Sequence, residues 1–202
     1  MDLLNNIGDI KIILATNSPR RKELLKQLGL SFEVKSKDID ESYPQSFRAE
    51  AVAVYIAEKK ANSFFNVIKD ELLIAADTVV VIDNEIFGKP KDILEAKAML
   101  QKLSGKSHEV ITGVALLHLT KIYSFYEKTT VYFKELTDLE INYYISNYQP
   151  FDKAGSYGIQ EWIGMIGVER IEGSYNNVVG LPTARLYHEI GSFLQQSNNI
   201  QK

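Results

Sequence analysis

An α/β fold is predicted, built on a mixed, twisted sheet with helices on both sides. Three observations carry the prediction. A short apolar run, Ile10–Ala15, reads as a strand buried on both faces and leads straight into a helical pattern. A longer apolar run, Leu72–Ile82, is interrupted by one carboxylate, Asp77. Two β-rich stretches, Glu109–Leu119 and Lys121–Lys134, are separated from these runs by helical patterns with clear caps. Strands that alternate with helices in this way bury a sheet between helical layers.

The chain of 202 residues can bury a full core as one domain or as two closely joined lobes, and residues 1–202 are read as a single domain. Hydrophobic content of 45% and charged content of 24% are ordinary for a globular protein. The formal net charge of -3 gives no global basic field, so neither nucleic acid nor an anionic membrane is an expected partner. A polyanionic ligand would need a local basic pocket. The absence of cysteine excludes disulfides, thiolate catalysis and Cys-ligated zinc. No apolar run approaches the ~20 residues of a membrane span. The opening Met1–Asn6 lacks the basic and apolar regions of a signal peptide. The expectation is a soluble, cytoplasmic protein.

In chain order, Ser18 is a natural helix N-cap and Pro19 suits the first helical position. Leu24, Leu25 and Leu28 fall at helical spacing, and Gly29 stops the helix. Ser31–Ser36 alternates like a strand and is followed by an acidic loop, Lys37–Ser42. A helical pattern runs from Phe47 to Phe65, with Val52, Tyr55, Ile56 and Lys59 on one side. After the Leu72–Ile82 strand, Asp83-Asn84-Glu85 reads as a hairpin turn returning through Ile86-Phe87. Asp92 caps a helix through Ala96, Met99, Leu100 and Leu103. Lys121–Lys134 reads as antiparallel neighbours of the Glu109–Leu119 strand, its aromatics serving the core and the sheet. Thr137-Asp138-Leu139-Glu140 is a capping box for a helix through Ile141, Tyr144 and Ile145. Glu161–Ile171 reads as a strand pair with bulges at Gly164 and Gly167, and Gly173–Asn177 as a turn. A last helix carries Leu186, Ile190, Phe193 and Leu194 on its apolar face.

Several residues are candidates for chemistry. Arg20 and Arg21 stand in the first turn of a helix, where the dipole favours negative charge. Their presence suggests a counter-anion beyond the helix end, and arginine forks suit phosphate oxygens. The alternative is a solvated basic helix start with an ordinary serine cap. Asp77 is costly inside a strand without a partner; it either binds a metal, polarises a water or is held by a nearby cation. Lys59 and Lys60 complement a helix C-terminus on the simplest reading. Lys89 stands on a short, stiff Gly88-Lys89-Pro90 connection, too short for a Walker-type loop. Gln160, after two glycines, can read a base edge or serve as a structural amide in a turn. The acidic loop near Glu41 is solvated or holds a divalent metal. His108, His118 and His188 lack metal-ligand spacing, and His118 reads as half-exposed on its strand. No HExxH motif or nucleophile elbow is present.

Taken together, seven stretches resemble the Maf family of nucleoside triphosphate pyrophosphatases, also called septum-formation-inhibitor-like proteins. They are ATNSPRRKELL (Ala15–Leu25), IAEKKA (Ile56–Ala61), AADTVV (Ala75–Val80), GKP (Gly88–Pro90), LSGKSHEVITGVAL (Leu103–Leu116), DKAGSYGIQ (Asp152–Gln160) and GSYNNVVGLP (Gly173–Pro182). They lie in family order across nearly the whole chain. The resemblance implies two lobes around a cleft, a fold shared with inosine triphosphate pyrophosphatases. It implies cleavage between the α- and β-phosphates with a divalent cation, Mg or Mn, and often a homodimer. By the same resemblance Ser18, Arg20 and Arg21 bind phosphates, and Lys60 and Lys89 neutralise the leaving pyrophosphate. Asp77 accepts the proton, ligates the metal or does both, and Glu41 is a second carboxylate near the metal. Thr78 and Gln160 contribute to base choice. The motif set resembles the subgroup that cleaves dTTP and UTP, whereas another subgroup acts on 7-methyl-GTP. Thr16 stands where the family commonly has serine, and Glu161-Trp162 follows Gln160 where glycine is frequent. The rival readings are an inosine/xanthosine triphosphate pyrophosphatase, and a non-catalytic regulator of cell division acting by binding.

Overall fold

The computed structural model describes residues 7, 8 and 10–198. The opening Met1–Asn6, read above for targeting features, lies outside the described residues. The strands are β1 (Ile12–Ala15), β2 (Phe32–Lys35), β3 (Leu72–Ile82), β4 (Glu85–Phe87), β5 (Ser107–His118), β6 (Lys121–Phe133) and β7 (Val168–Glu172). The helices are α1 (Pro19–Gln27), α2 (Ala49–Asn62), α3 (Ile93–Leu103), α4 (Asp138–Tyr148), α5 (Trp162–Gly167), α6 (Tyr175–Val179) and α7 (Thr183–Asn198). Among the described residues the seven strands form a mixed sheet in the order β2-β1-β3-β5-β6-β7, with β4 paired to β3. The predicted α/β class with a mixed sheet and flanking helices is the observed one. The chain divides into two compact units: Met1–Asp77 with Thr112–Glu127 and Gly180–Lys202, and Thr78–Ile111 with Lys128–Val179. No helix of the described residues is long and apolar enough to cross a membrane.

In the first unit β1 runs parallel to both β2 and β3, with Ile12 opposite Phe32 on one side and Leu72 on the other. All four residues of β1 are buried, which is why the strand reads as a continuous apolar run rather than an alternating one. Leu72–Ala76 of β3 is buried in the same way. Ile13, Ala15, Ala57, Ala61, Leu73 and Leu117 belong to one core cluster. The buried face of α2 holds Val52 and Ile56, as predicted, but its remainder is alanine: Ala49, Ala53, Ala57 and Ala61. Small residues let the helix approach closely. A Cβ added to Gly113 of β5 would lie 2.3 Å from the Ala53 carbonyl carbon. His118 is buried rather than half-exposed, because its Nδ1 lies 3.1 Å from the Glu71 carbonyl oxygen and the ring is satisfied there. On α7, Leu186, Ile190, Phe193 and Leu194 are all buried, as their spacing predicts.

In the second unit, Asp83 and Asn84 both have positive φ, and they close the two-residue turn between β3 and β4. Asp92 caps α3 by accepting the Glu95 amide at 2.8 Å. Thr137 and Glu140 form the predicted capping box on α4. Val80, Phe87, Leu100, Val131, Tyr144 and Ile163 lie in the core of this unit. Four expectations are corrected. Lys121–Phe133 is one long strand rather than several. Glu161–Ile171 is not a strand pair: Trp162–Gly167 is helical, and only Val168–Glu172 is extended. Gly164 is no bulge but a point of close approach, since a Cβ there would lie 1.9 Å from the Ile159 carbonyl oxygen. Tyr175–Val179, partly read as turn, forms a short helix whose Asn177 amide donates to Ser174 Oγ at 3.2 Å.

Candidate active site

The first unit gathers most of the predicted site residues. β1 ends at Ala15, and Thr16 Oγ1 then accepts the Ser18 amide at 3.1 Å, so the hydroxyl at the position where serine is common is in use. Ser18 caps α1 with Pro19 as its first helical residue, and its Oγ lies 3.5 Å from the Arg21 amide. No acidic residue stands in that first turn. Arg21 is half-buried, and its Nε donates to the Gly180 carbonyl oxygen at 2.8 Å. This bond ties the SPRR stretch to Gly180 within the first unit. Burial lowers the Arg21 pKa from its ordinary value; Asp77 raises it, Arg20 lowers it and Glu41 raises it, in decreasing order. Arg21 therefore shares its electrostatic neighbourhood with Asp77, Arg20 and Glu41.

Asp77 stands where the buried half of β3 ends, and its side chain is 14% exposed. Its partner is Lys60, in the last turn of α2, whose Nζ lies 2.6 Å from Asp77 Oδ1. The same ammonium lies 2.8 Å from Glu41 Oε1. A buried carboxylate needs such a partner, because the cost of desolvation is otherwise several kcal/mol, on the order of the Coulombic gain itself. The neighbouring Lys59 turns elsewhere, to Asp40 Oδ2 at 3.4 Å and the Ser42 carbonyl oxygen at 3.3 Å. Asp40 is occupied locally by the Ser42 amide and hydroxyl, at 2.9 and 2.5 Å, which hold its pKa below the usual carboxylate value. The acidic loop thus divides its carboxylates: Asp40 stabilises the loop, and Glu41 faces Lys60.

Among the described residues no group of three or more His, Cys, Asp or Glu side chains gathers into a metal cage. Asp77 and Glu41, on one ammonium, form a two-carboxylate set instead. Mg and Mn suit oxygen donors, and Mg usually takes one or two carboxylates together with waters and substrate phosphates. The donor chemistry therefore fits a cation that arrives with a phosphate ligand.

The second unit holds Thr78, Lys89 and Gln160. Thr78 follows Asp77 on β3, so strand alternation sends the two side chains to opposite faces. Lys89 is exposed between Gly88 and buried Pro90, and the Gly88 carbonyl oxygen accepts the Gly155 amide at 3.1 Å. GKP is thereby fastened to the DKAG stretch. Gly155 has φ 67°, and a Cβ there would lie 2.9 Å from a Val80 methyl. Gln160 Oε1 is buried without a hydrogen-bond partner. Sequence reasoning missed the groups behind Gln160. Tyr144 hydrogen-bonds Glu161, and Lys153 lies 3.1 Å from the same carboxylate. A lysine and a glutamate eight positions apart carry no local signal of contact.

Residues 11–193 match the family described as Maf-like protein. A dTTP/UTP pyrophosphatase of Phocaeicola vulgatus is 55% identical over 190 residues, 93% of this chain and 98% of that protein. A dTTP/UTP pyrophosphatase of Flavobacterium psychrophilum is 52% identical over 186 residues, 92% of this chain and 95% of that protein. Among solved structures, the Ham1 protein of Staphylococcus aureus gives a TM-score of 0.49 at 16% identity, covering 89% of this chain and 99% of that one. The family match spans most of both units, and the relatives match over nearly their full length: the chain belongs to the Maf-like protein family.

Proposed function

We propose that this protein is a nucleoside triphosphate pyrophosphatase that converts dTTP and UTP to the monophosphate and pyrophosphate. The observation that carries the reading is the Lys60 ammonium set between Asp77 and Glu41, with Arg21 electrostatically coupled to both carboxylates. The names of the close relatives support the choice of nucleotide. Hydrolysis of a phosphoanhydride requires positioning and charge neutralisation rather than a covalent nucleophile.

In this reading Arg20 and Arg21 grip phosphate oxygens beyond the start of α1, with Ser18 at the cap. Asp77 takes the proton of the water that attacks the α-phosphorus, as the bond from that phosphorus to the bridging oxygen breaks. Pyrophosphate departs with the bridging oxygen, and Lys60 and Lys89 balance its charge. Thr78 and Gln160 contribute to recognition of the base. A divalent cation, Mg or Mn, held by Asp77 and Glu41 would supply further neutralisation of the triphosphate. The two units are read as one functional domain, acting as a homodimer on free nucleotides in the cytoplasm.

The test is release of pyrophosphate and monophosphate from dTTP, UTP, ITP and 7-methyl-GTP, with Mg or Mn supplied. Equal amounts of the two products, from dTTP and UTP above the others, are expected. Preference for ITP or 7-methyl-GTP would overturn the assignment of substrate.

A further inference from the structure

Gln160 is the third residue of a four-residue turn, and both ends of that turn return to Glu161. The Glu161 amide donates to the Gly158 carbonyl oxygen at 2.9 Å. The Gly158 amide donates to the Tyr144 phenol oxygen at 3.0 Å, and that phenol donates to Glu161 Oε2. The other carboxylate oxygen, Oε1, lies 3.1 Å from Lys153 Nζ. Lys153 is almost wholly buried and also meets Asp152 Oδ1 at 2.8 Å. Glu161 thus holds the carbonyl end of Gly158 through its backbone amide and the amide end through its side chain, by way of Tyr144. Burial pushes the Tyr144 pKa up, so the phenol keeps the proton it donates.

The packing is equally close. A Cβ on Gly158 would lie 2.7 Å from Gln160 Nε2 and 2.9 Å from Glu161 Cδ. The Gln160 and Glu161 side chains both lie over that glycine. Ile159 is buried and anchors the turn, and the turn leaves Gln160 Oε1 buried with no donor. A buried amide oxygen without a partner is costly until a donor reaches it, and Gln160 as a residue is only half-buried. Thymine and uracil carry an N3–H donor, whereas cytosine offers an acceptor at N3.

We propose that Glu161, clamped between Lys153 and Tyr144, is a positioning residue that holds Gln160 for a base bearing N3–H. Through Gln160 it sets the preference for UTP over CTP. This inference rests on the pyrophosphatase reading above. The test is steady-state kinetics on UTP and CTP for wild type, Gln160→Ala, Glu161→Gln, Tyr144→Phe and the double variant Gln160→Ala/Glu161→Gln.

Glu161→Gln is expected to raise KM for UTP by roughly five- to tenfold, leave kcat within about twofold, and narrow the UTP/CTP ratio of kcat/KM. Tyr144→Phe moves the same quantities in the same direction. The double variant is no worse than Gln160→Ala within about twofold, because a positioning residue has nothing left to position. A Glu161→Gln enzyme with full UTP preference, or a loss that multiplies with that of Gln160→Ala, overturns the proposal. Tyr144→Phe keeps the ring and carries the same test where Glu161→Gln fails to fold. A wild type that cleaves no nucleotide overturns the pyrophosphatase reading. A wild type that is active while Gln160→Ala keeps its preference removes the role of Gln160, and the inference with it. Loss of preference in Gln160→Ala alone overturns the inference and leaves the activity standing.

Discussion

Lys60 and His108 show two ways in which this chain accommodates polar groups inside. Lys60 is surrounded by opposite charge, with Asp77 and Glu41 at 2.6 and 2.8 Å. His108 is buried as a neutral ring. Its Nε2 lies 2.7 Å from the Tyr157 phenol, and the rings of Phe133 and Tyr157 meet it edge-on. Burial pushes its pKa from 6.5 down to about 4. The unfolded chain binds this proton more readily than the folded one, so the contribution of His108 to stability is full above about pH 6.5 and is lost as pH falls toward 4. Between pH 7 and pH 5 the expected loss is roughly 2 kcal/mol. Urea denaturation at the two values checks it. The wild-type midpoint should fall on acidification, and His108→Leu should show a flatter dependence. A variant with the wild-type slope would contradict the assignment.

Elements with local signals behave as local physics dictates. Thr137 accepts the Glu140 amide, and Glu140 accepts the Thr137 amide and hydroxyl, which holds the Glu140 pKa below its usual value. Thr137→Ala should therefore cost about 1 kcal/mol, read as a shift of the urea midpoint with unchanged slope. The caps at Ser18, Asp92 and Thr137, the Asp83-Asn84 turn and the buried runs of β1 and β3 were all legible, because each depends on neighbours within a few residues. Trp162–Gly167 was not. Two glycines in six residues argue against a helix, but Gly164 is there because the Ile159 carbonyl oxygen leaves no room for a Cβ. His118 was misjudged for a similar reason, since its partner is the Glu71 backbone, 47 residues away. At the site, Arg20, Arg21 and Asp77 are marked by type and position, whereas Lys60 reads locally as a helix C-terminal lysine and enters the site only through the family resemblance. That Lys60 serves both Asp77 and Glu41, that Arg21 holds the Gly180 carbonyl, and that Glu161 grips the Gln160 turn are all tertiary facts.

At the scale of the molecule, a chain of net charge -3 places several cations together in its first unit. Arg20, Arg21 and Lys60 come from the start of one helix and the end of another, and Asp77 comes from β3. With Asp77 and Glu41 among them, these three cations leave a local excess of one positive charge in a chain that is negative as a whole. In the proposed reaction Asp77 is the proton acceptor in cleavage of dTTP and UTP. The most direct measurement is pyrophosphate release from both nucleotides by wild type and Asp77→Asn in parallel, with Mg or Mn present and folding checked by circular dichroism. Wild-type release, with kcat lowered roughly 10²–10⁴-fold in a folded Asp77→Asn variant, is the predicted result. Undiminished release by that variant, or no release by the wild type, would contradict it.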